Sequence, residues 1–459
     1  MQIEAAKSNT ALPRFVFLGV PQSKAKASKE RVLTACHQAG IFFPHSKVTL
    51  NFQSSQTIRD TTSLEFAIAV SLLQLYDFIP KQKYCVLGKI DLNGQVLPSS
   101  GIYPGLALLK EWGAKEIWTP TLEWPQEEAK GWSQILHPVK DIATFLAMMT
   151  GKQAHPELQV HQRPSLEPNW RQLPHRISLS LVSCLELILA GGHHALLLGP
   201  PGIGKTHARI VLETLLPPLS PAEALSRQLT LSVTEWEPEK ERVLSPSSSV
   251  TRSQLMGGKR QMGVLSQLQY GILFLDELPN FRKECLQALQ PYLETDQEQP
   301  GMIVKPGSFT CVATSNPCPC GFYGSARCQC SESEVKNYYS RFTGAMRDRF
   351  DITWRVTDLD ARTYSKEEWK VMYQRIIQAR ERQRQRRKQG WPVSAHQYAW
   401  EHLLELAPSG LRKRWEKEKR HISWRKLLQQ ARLACTLADL QQEALDESWY
   451  ELAGLYTSA

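Results

Sequence analysis

The sequence predicts an α/β fold: a small α/β domain, then a parallel-sheet nucleotide-binding domain, then a basic helical region. Three observations carry that prediction. The apolar run Ala195–Leu198 stops abruptly in the turn Gly199-Pro200-Pro201-Gly202-Ile203-Gly204-Lys205-Thr206. A second apolar run, Tyr270–Leu275, ends in the paired acids Asp276 and Glu277. Between Lys370 and Arg432, in a stretch of largely helical pattern, 17 Lys/Arg face 5 Asp/Glu.

The turn has the spacing G-x-x-x-x-G-K-T, and each part has a mechanical reason. Gly199, Gly202 and Gly204 let successive backbone N–H groups converge on one anion, while Lys205 reaches the β- and γ-phosphates. Thr206 offers its hydroxyl to Mg²⁺. A glycine turn between a strand and a helix can be structurally ordinary, but here an apolar strand precedes it and the amphipathic His207–Leu216 follows. ATP and Mg²⁺ are the expected ligands. At the end of the second run, Asp276 is placed to hold the Mg²⁺ shell and Glu277 to orient and polarise the attacking water. Paired acids at a strand end also cap helices, but their position downstream of a phosphate loop favours hydrolysis.

A chain of 459 residues can form two or three domains, each with its own core. No window is apolar for long enough to span a bilayer, so no membrane partner is expected. Met1–Pro13 lacks the apolar core of a signal peptide, which points to a reducing cytoplasm and leaves ten cysteines to be explained without disulfides. The formal net charge is +10, so the local excess of +12 between Lys370 and Arg432 leaves the rest of the chain near neutral. Such a region suits a polyanion, most commonly nucleic acid; solvated helix faces are the alternative.

Strands are expected at Phe15–Gly19, Ser46–Phe52, Tyr84–Leu92 and Glu116–Thr119, and helices at Ala27–Ala39, Ser63–Tyr76, Tyr103–Trp112 and Ile142–Met149. Asn93-Gly94 is a hairpin turn between alternating runs. The proline-bearing, aperiodic Gly151–Arg171 reads as a linker. Beyond it come an amphipathic helix at Pro174–Leu189, a helix at Lys283–Leu293, and an apolar strand from Phe309 that ends in the amide of Asn316. These divide the chain into residues 1–150, a linker at 151–171, a nucleotide-binding core at 172–355 with a cysteine-rich insert at 316–332, and a basic helical region at 356–459.

Cys318-Pro-Cys320 and Cys328-Gln-Cys330 place four thiols within thirteen residues, and the other six cysteines are scattered as small buried residues. Four clustered thiolates suit the tetrahedral preference of Zn²⁺, which makes a structural zinc site the expectation and reduced, metal-free thiols the alternative.

Leu12–Pro21, Ser28–Val32 and Gly88–Gly101 resemble the amino-terminal domain of magnesium-chelatase-like ATPases, itself similar to the proteolytic domain of Lon. Lon-type cleavage needs a serine nucleophile and a lysine base. Here Ala67 stands near the expected serine, Tyr103 stands where the lysine should be, and Ser63 and Ser71 read as ordinary helix residues, so the domain is expected to be non-proteolytic. The resemblance also leads one to expect further strands ahead of Leu12-Pro13, and hence a shortened copy or a misplaced start.

The later motifs, in their order, resemble AAA+ ATPases with a C-terminal helical lid. That resemblance makes Asn316 the sensor 1 residue, bonding the γ-phosphate and the lytic water. Met346-Arg-Asp-Arg-Phe-Asp351 resembles the helix end that presents an arginine finger to a neighbouring subunit, which implicates Arg349; a surface arginine paired with Asp348 or Asp351 is the alternative. Ile422–Leu440 resembles the S-x-R…A-D-L lid helix and makes Arg425 the sensor 2 residue, with Arg432 a weaker candidate that also reads as a solvated basic residue.

With Asn316-Pro-Cys-Pro-Cys-Gly321, the whole chain resembles the YifB/ComM family of magnesium-chelatase-like ATPases. The resemblance implies a homo-oligomeric ring, a hexamer, that hydrolyses ATP between subunits and moves single-stranded or branched DNA. For ComM-type members it implies branch migration during natural transformation. Two departures bear on that mechanism: Ser247-Ser248-Ser249 follow Pro246 where the family carries a His-His pair, and only Asp296–Ser308 is left for the hairpin before sensor 1. A protein-remodelling or chelatase-type motor is the rival reading, and a non-enzymatic DNA-binding ring or scaffold is a third. Asp276, Glu277, Asn316, Arg349 and Arg425 argue against the third.

Overall fold

The structure is a computed structural model. It describes residues 2–8, 14–44, 46–53, 61–99, 102–122, 124–125, 131–154, 156, 158, 160–161, 167–220, 223–224, 226–227, 242–258, 263–293, 308–324, 326–340, 344–356, 360–392 and 394–457. The chain forms two compact units: Met1–Ser165 with Ser220–Pro238, and Leu166–Leu219 with Glu239–Ala459.

In the first unit the strand Lys47–Gln53 is central. It pairs parallel with Arg14–Leu18 and antiparallel with Gln2–Ser8, a strand that the sequence pattern did not reveal. Lys47–Gln53 alternates buried and half-buried residues, and Val48, Leu50 and Phe52 pack with Val32, Phe66, Trp118 and Phe145. The expected strand Tyr84–Leu92 breaks into Cys85–Val86 and Lys89–Ile90, because the two parts join different sheets. Cys85–Val86 joins the parallel pair Ile117–Pro120 and Leu136–Val139, while Lys89–Ile90 turns through Asn93-Gly94 to pair with Val96–Leu97. Gly94 has φ +84, as a tight hairpin turn demands.

The second unit is built on a five-stranded, all-parallel sheet in the spatial order Val243–Leu244, Ile272–Leu275, Thr310–Ser315, Ala195–Leu198, Ile352–Arg355. Both faces are covered, which is why its strands read as continuous apolar runs. Alternation sorts their side chains between two cores. Leu196, Leu198, Leu273, Leu275, Cys311 and Ala313 pack on one side with Leu255, Phe281 and Leu289. Ala195, Leu197, Ile272, Phe274, Val312 and Ile352 pack on the other with Leu185, Val211, Trp369, Tyr398, Trp415 and Leu437. The C-terminal helices therefore share one apolar core with the sheet. The expected helix at Pro174–Leu189 is instead a short strand, Arg176–Ser178, paired with Ala361–Thr363, followed by the helix Leu179–Gly191. Ser178 switches the chain between the two, since its side chain accepts the Leu181 N–H and caps the helix.

Candidate nucleotide site and neighbouring clusters

Parallel strands release their ends at one edge of the sheet, and there the predicted residues converge. Ala195–Leu198 runs into the glycine turn, where Gly202 and Gly204 take φ +80 and +94. The helix Lys205–Leu215 starts directly after Gly204, leaving its first N–H groups without intrahelical partners, as an anion site requires. The Gly199 N–H donates to Ser315 O at 3.1 Å, anchoring the turn to the adjacent strand. The buried Lys205 ammonium donates to Gly199 O at 2.7 Å and to Asn316 Oδ1. Burial pulls its pKa down, and the negative charges of Asp276 and Glu277 push it back up. The Thr206 side chain lies outside the described residues.

Asp276 and Glu277 follow Ile272–Leu275, with exposed side chains, and Thr314 on the neighbouring strand ties them together. Its buried hydroxyl donates to Asp276 Oδ1 at 2.6 Å and accepts the Glu277 N–H at 2.9 Å. Glu277 sits at φ +54, a left-handed conformation that a non-glycine residue adopts at some energetic cost. Asn280 Nδ2 donates to Glu277 Oε2 at 2.6 Å. Sequence reasoning missed both Thr314 and Asn280. A threonine that follows the apolar Cys311–Ala313, two residues before Asn316, was the available signal for the first.

Arg349 follows the short helix Gly344–Arg347. Its guanidinium bonds Ala345 O and, with the Gln290 amide turned to present its oxygen, Gln290 at 2.9 and 3.0 Å, all within the same chain. Arg347 is exposed and lies over the Tyr339 ring at 5.6 Å. Arg425 opens the helix Trp424–Leu440; one turn on, Gln429 donates to Asp348 O at 2.8 Å and Phe350 O at 3.3 Å, which brings this helix beside the arginine-bearing segment. Arg432 is not a solvated residue: it is half-buried and its Nε donates to Tyr398 O at 2.8 Å.

The +12 excess of Lys370–Arg432 is also not a free electrostatic face, because many of its arginines are internal staples. Arg375 bonds Glu186 at 2.8 and 3.0 Å, Arg380 bonds Leu189 O, Arg384 bonds Pro218 O, and Arg386 makes a two-pronged pair with the buried Asp439 at 2.7 and 2.5 Å. Arg414 gathers Glu418, Glu447 and Glu451 at 2.9, 3.0 and 2.8 Å. Lys413, Lys417, Lys419 and Arg420 are exposed, and Lys419 Nζ lies 5.2 Å from the ring of the exposed Trp424.

Two further clusters stand at opposite ends of the strands. The sulfur atoms of Cys318, Cys320, Cys328 and Cys330 all fall within 4.8 Å of one another. The N–H groups of Gln329 and Phe322 pull the Cys320 thiol down to about 6. Where the strands begin, the buried Asp351 carboxylate meets His396 Nδ1 at 2.6 Å, His193 Nδ1 at 3.4 Å and the His194 N–H at 3.2 Å. His193 Nε2 meets Thr436 at 2.7 Å, which joins the sheet to the helix Trp424–Leu440. Ser247, Ser248 and Ser249 form a turn closed by Val250 N–H to Ser247 O at 2.9 Å, and the short hairpin at 296–307 lies outside the described residues. In the first unit Ser71 back-bonds to Ala67 O at 2.8 Å, and the buried Glu65 accepts from Ser28 and Arg31 at 2.9 and 2.7 Å.

Comparison with known proteins matches residues 180–364 to the model of magnesium chelatase subunit ChlI and residues 3–122 to a second model of the same subunit. YifB of Salmonella typhimurium is 29% identical over 407 residues, covering 84% of this chain and 79% of that protein. Competence protein ComM of Haemophilus influenzae is 26% identical over 375 residues, covering 77% and 73%. The chain belongs to the YifB/ComM family of magnesium-chelatase-like AAA+ ATPases. A protein of Mycobacterium tuberculosis is 26% identical to this family member over 418 residues, covering 86% and 82%. Among solved structures, a full-length MCM homolog from Methanopyrus kandleri aligns over 60% of this chain and 53% of that one at 15% identity, with a TM-score of 0.36, too loose a likeness to bear on fold or function.

Proposed function

We propose that this chain is an ATP-hydrolysing motor acting on DNA, a ring-forming translocase or branch-migration helicase of the ComM type. The observation that carries the hydrolytic half is the meeting of Lys205, Asn316 and the Thr314-bridged pair Asp276 and Glu277 at one edge of a parallel sheet. In this reading Gly199, Pro200, Pro201, Gly202, Ile203 and Gly204 wrap the phosphates and Lys205 neutralises them. Asp276 and Thr206 hold Mg²⁺; the exposed Asp276 carboxylate at the strand end fits that hard cation. Glu277 orients the lytic water and Asn316 senses the γ-phosphate. Arg425 reaches the phosphates from the helical lid at 356–459, above the core at 172–355, with residues 1–150 a non-proteolytic domain and 151–171 a linker. Arg349 serves as the finger of a neighbouring copy in a hexamer once its bonds to Gln290 and Ala345 are exchanged, and the exposed Arg347 is the alternative donor.

Glu277→Gln tests the hydrolytic half: turnover should be lost by roughly a hundredfold or more while ATP binding persists. Unchanged turnover would remove Glu277 from the mechanism.

DNA as the partner is supported by the likeness to ComM and by the basic, aromatic surface around Lys413–Trp424. Bases stack on exposed aromatic rings while cations meet phosphates. A protein-remodelling or chelatase-type motor is favoured by a different observation, the internal pairing of Arg375, Arg386 and Arg414, which removes charge from the DNA argument. Hydrolysis measured with single-stranded, branched and duplex DNA at low salt separates them, and no stimulation by any form would favour the remodelling motor. No helix among the described residues is long and apolar enough to cross a membrane, and the cytoplasm is the proposed place of action.

A further inference from the structure

We propose that Cys318, Cys320, Cys328 and Cys330 hold one zinc ion, and that this knot is the wall against which the phosphate loop is set, so that metal occupancy governs nucleotide affinity. The coupling rests on the phosphate loop being the nucleotide site.

The sulfur geometry comes first. Cys318 and Cys320 Sγ lie 3.3 Å apart, Cys318 and Cys328 3.9 Å, and Cys320 and Cys328 3.7 Å. A tetrahedron with arms of about 2.3 Å, the usual zinc–sulfur distance, has edges of about 3.8 Å. Four sulfurs and no oxygen donor select a soft or borderline cation over Mg²⁺ or Ca²⁺, and a closed four-ligand shell is structural rather than catalytic. The Cys320 N–H donates to Cys330 Sγ at 3.4 Å, the outer contact that orients a ligating thiolate. Four thiolates this close repel one another, and a divalent cation removes that repulsion.

The second observation is what the knot touches. Its first ligand lies two residues after Asn316, whose amide oxygen accepts from Lys205. Between Cys318 and Cys320 the chain turns back, with the Gly321 N–H donating to Cys318 O at 3.0 Å and Gly321 at φ +85. A Cβ at Gly321 would run into Pro201 Cδ, so the backbone after Cys320 lies directly against the proline inside the phosphate loop. One short segment thus fixes both the residue facing Lys205 and the back of the loop that Lys205 closes. A cation holding Cys320 to Cys328 and Cys330 adds a cross-link to that segment beyond its turn and the Cys320 N–H bond.

The test uses the full chain. Elemental analysis should find one zinc per chain, and cobalt substitution should give the absorption of a tetrahedral thiolate centre. Cys328→Ser with Cys330→Ser, on the half-buried side of the knot, should abolish metal binding and weaken binding of a non-hydrolysable ATP analogue. Gly321→Ala keeps all four thiols and separates the two claims: zinc should stay at one per chain while analogue affinity falls roughly tenfold or more, the scale on which a displacement of about an ångström acts. A chain that purifies without metal and takes up neither zinc nor cobalt overturns the site. Loss of zinc with unchanged analogue affinity overturns the coupling. Failure of the native chain to bind the analogue would instead strike the nucleotide site itself and leave the metal count standing.

Discussion

The Thr314 hydroxyl donates to Asp276 Oδ1 at 2.6 Å while accepting the Glu277 N–H at 2.9 Å, so one buried side chain sets both acids at the strand end. Thr314→Val keeps the shape and removes the hydroxyl. It should lower turnover roughly tenfold to a hundredfold, as loss of an outer contact to a metal-binding carboxylate does. The loss should be partly recovered at high Mg²⁺, with ATP binding near normal. A magnesium titration of steady-state hydrolysis checks it, and an unchanged titration would leave Thr314 a packing residue.

Asn280 holds the Glu277 carboxylate at 2.6 Å in a residue already in the left-handed region. Asn280→Ala frees that carboxylate and should raise basal hydrolysis while leaving analogue affinity alone. A fall in rate would show that Asn280 positions Glu277 for the reaction instead of restraining it.

Asp439 is fully buried and takes both prongs of the Arg386 guanidinium. Removing one partner strands the other, so Asp439→Ala should destabilise the second unit by about 3–5 kcal/mol. The measurement is the unfolding midpoint in denaturant. Replacing both residues with apolar ones should recover much of the loss, because no buried charge is then left alone.

His193 and His194 are buried, and burial holds both below the ordinary histidine value, with His396 and Arg432 adding positive charge nearby and Asp351 opposing. Asp351 stays well below the carboxylate range despite its burial, because His396 and His193 face it. The signs follow. Below about pH 6.5 the unfolded chain protonates these histidines and the folded one does not, so stability is full above that value and falls as pH drops through it. The contribution of Asp351 is lost only at much lower pH. The unfolding midpoint should therefore decline between pH 7.5 and 5.5. His194→Asn, whose amide oxygen can still accept the Cys311 N–H now bonded at 2.9 Å, should flatten that decline.

The nucleotide site was legible because its signals are local. The G-x-x-x-x-G-K-T spacing, the acids at Asp276 and Glu277 and the amide at Asn316 each sit where an apolar run ends. The charge of Lys370–Arg432 was legible as composition but misleading as surface. A guanidinium can turn inward when a carboxylate or carbonyl waits there, and Glu186, Asp439 and Pro218 lie far away in sequence. The strand Arg176–Ser178 was hidden for the same reason, since its partner Ala361–Thr363 is contributed from beyond the sheet.

By itself the sequence determined the two apolar strand ends that frame the phosphate loop, the clustering of four thiols and the family resemblance, since each depends on residues close together in the chain. The tertiary structure alone decided that Thr314 bridges the two acids, that Gly321 presses on Pro201, and that Asp351 gathers three histidines. Those contacts join residues separated by tens to more than a hundred positions, and only the packing of the parallel sheet brings them within hydrogen-bonding or van der Waals reach.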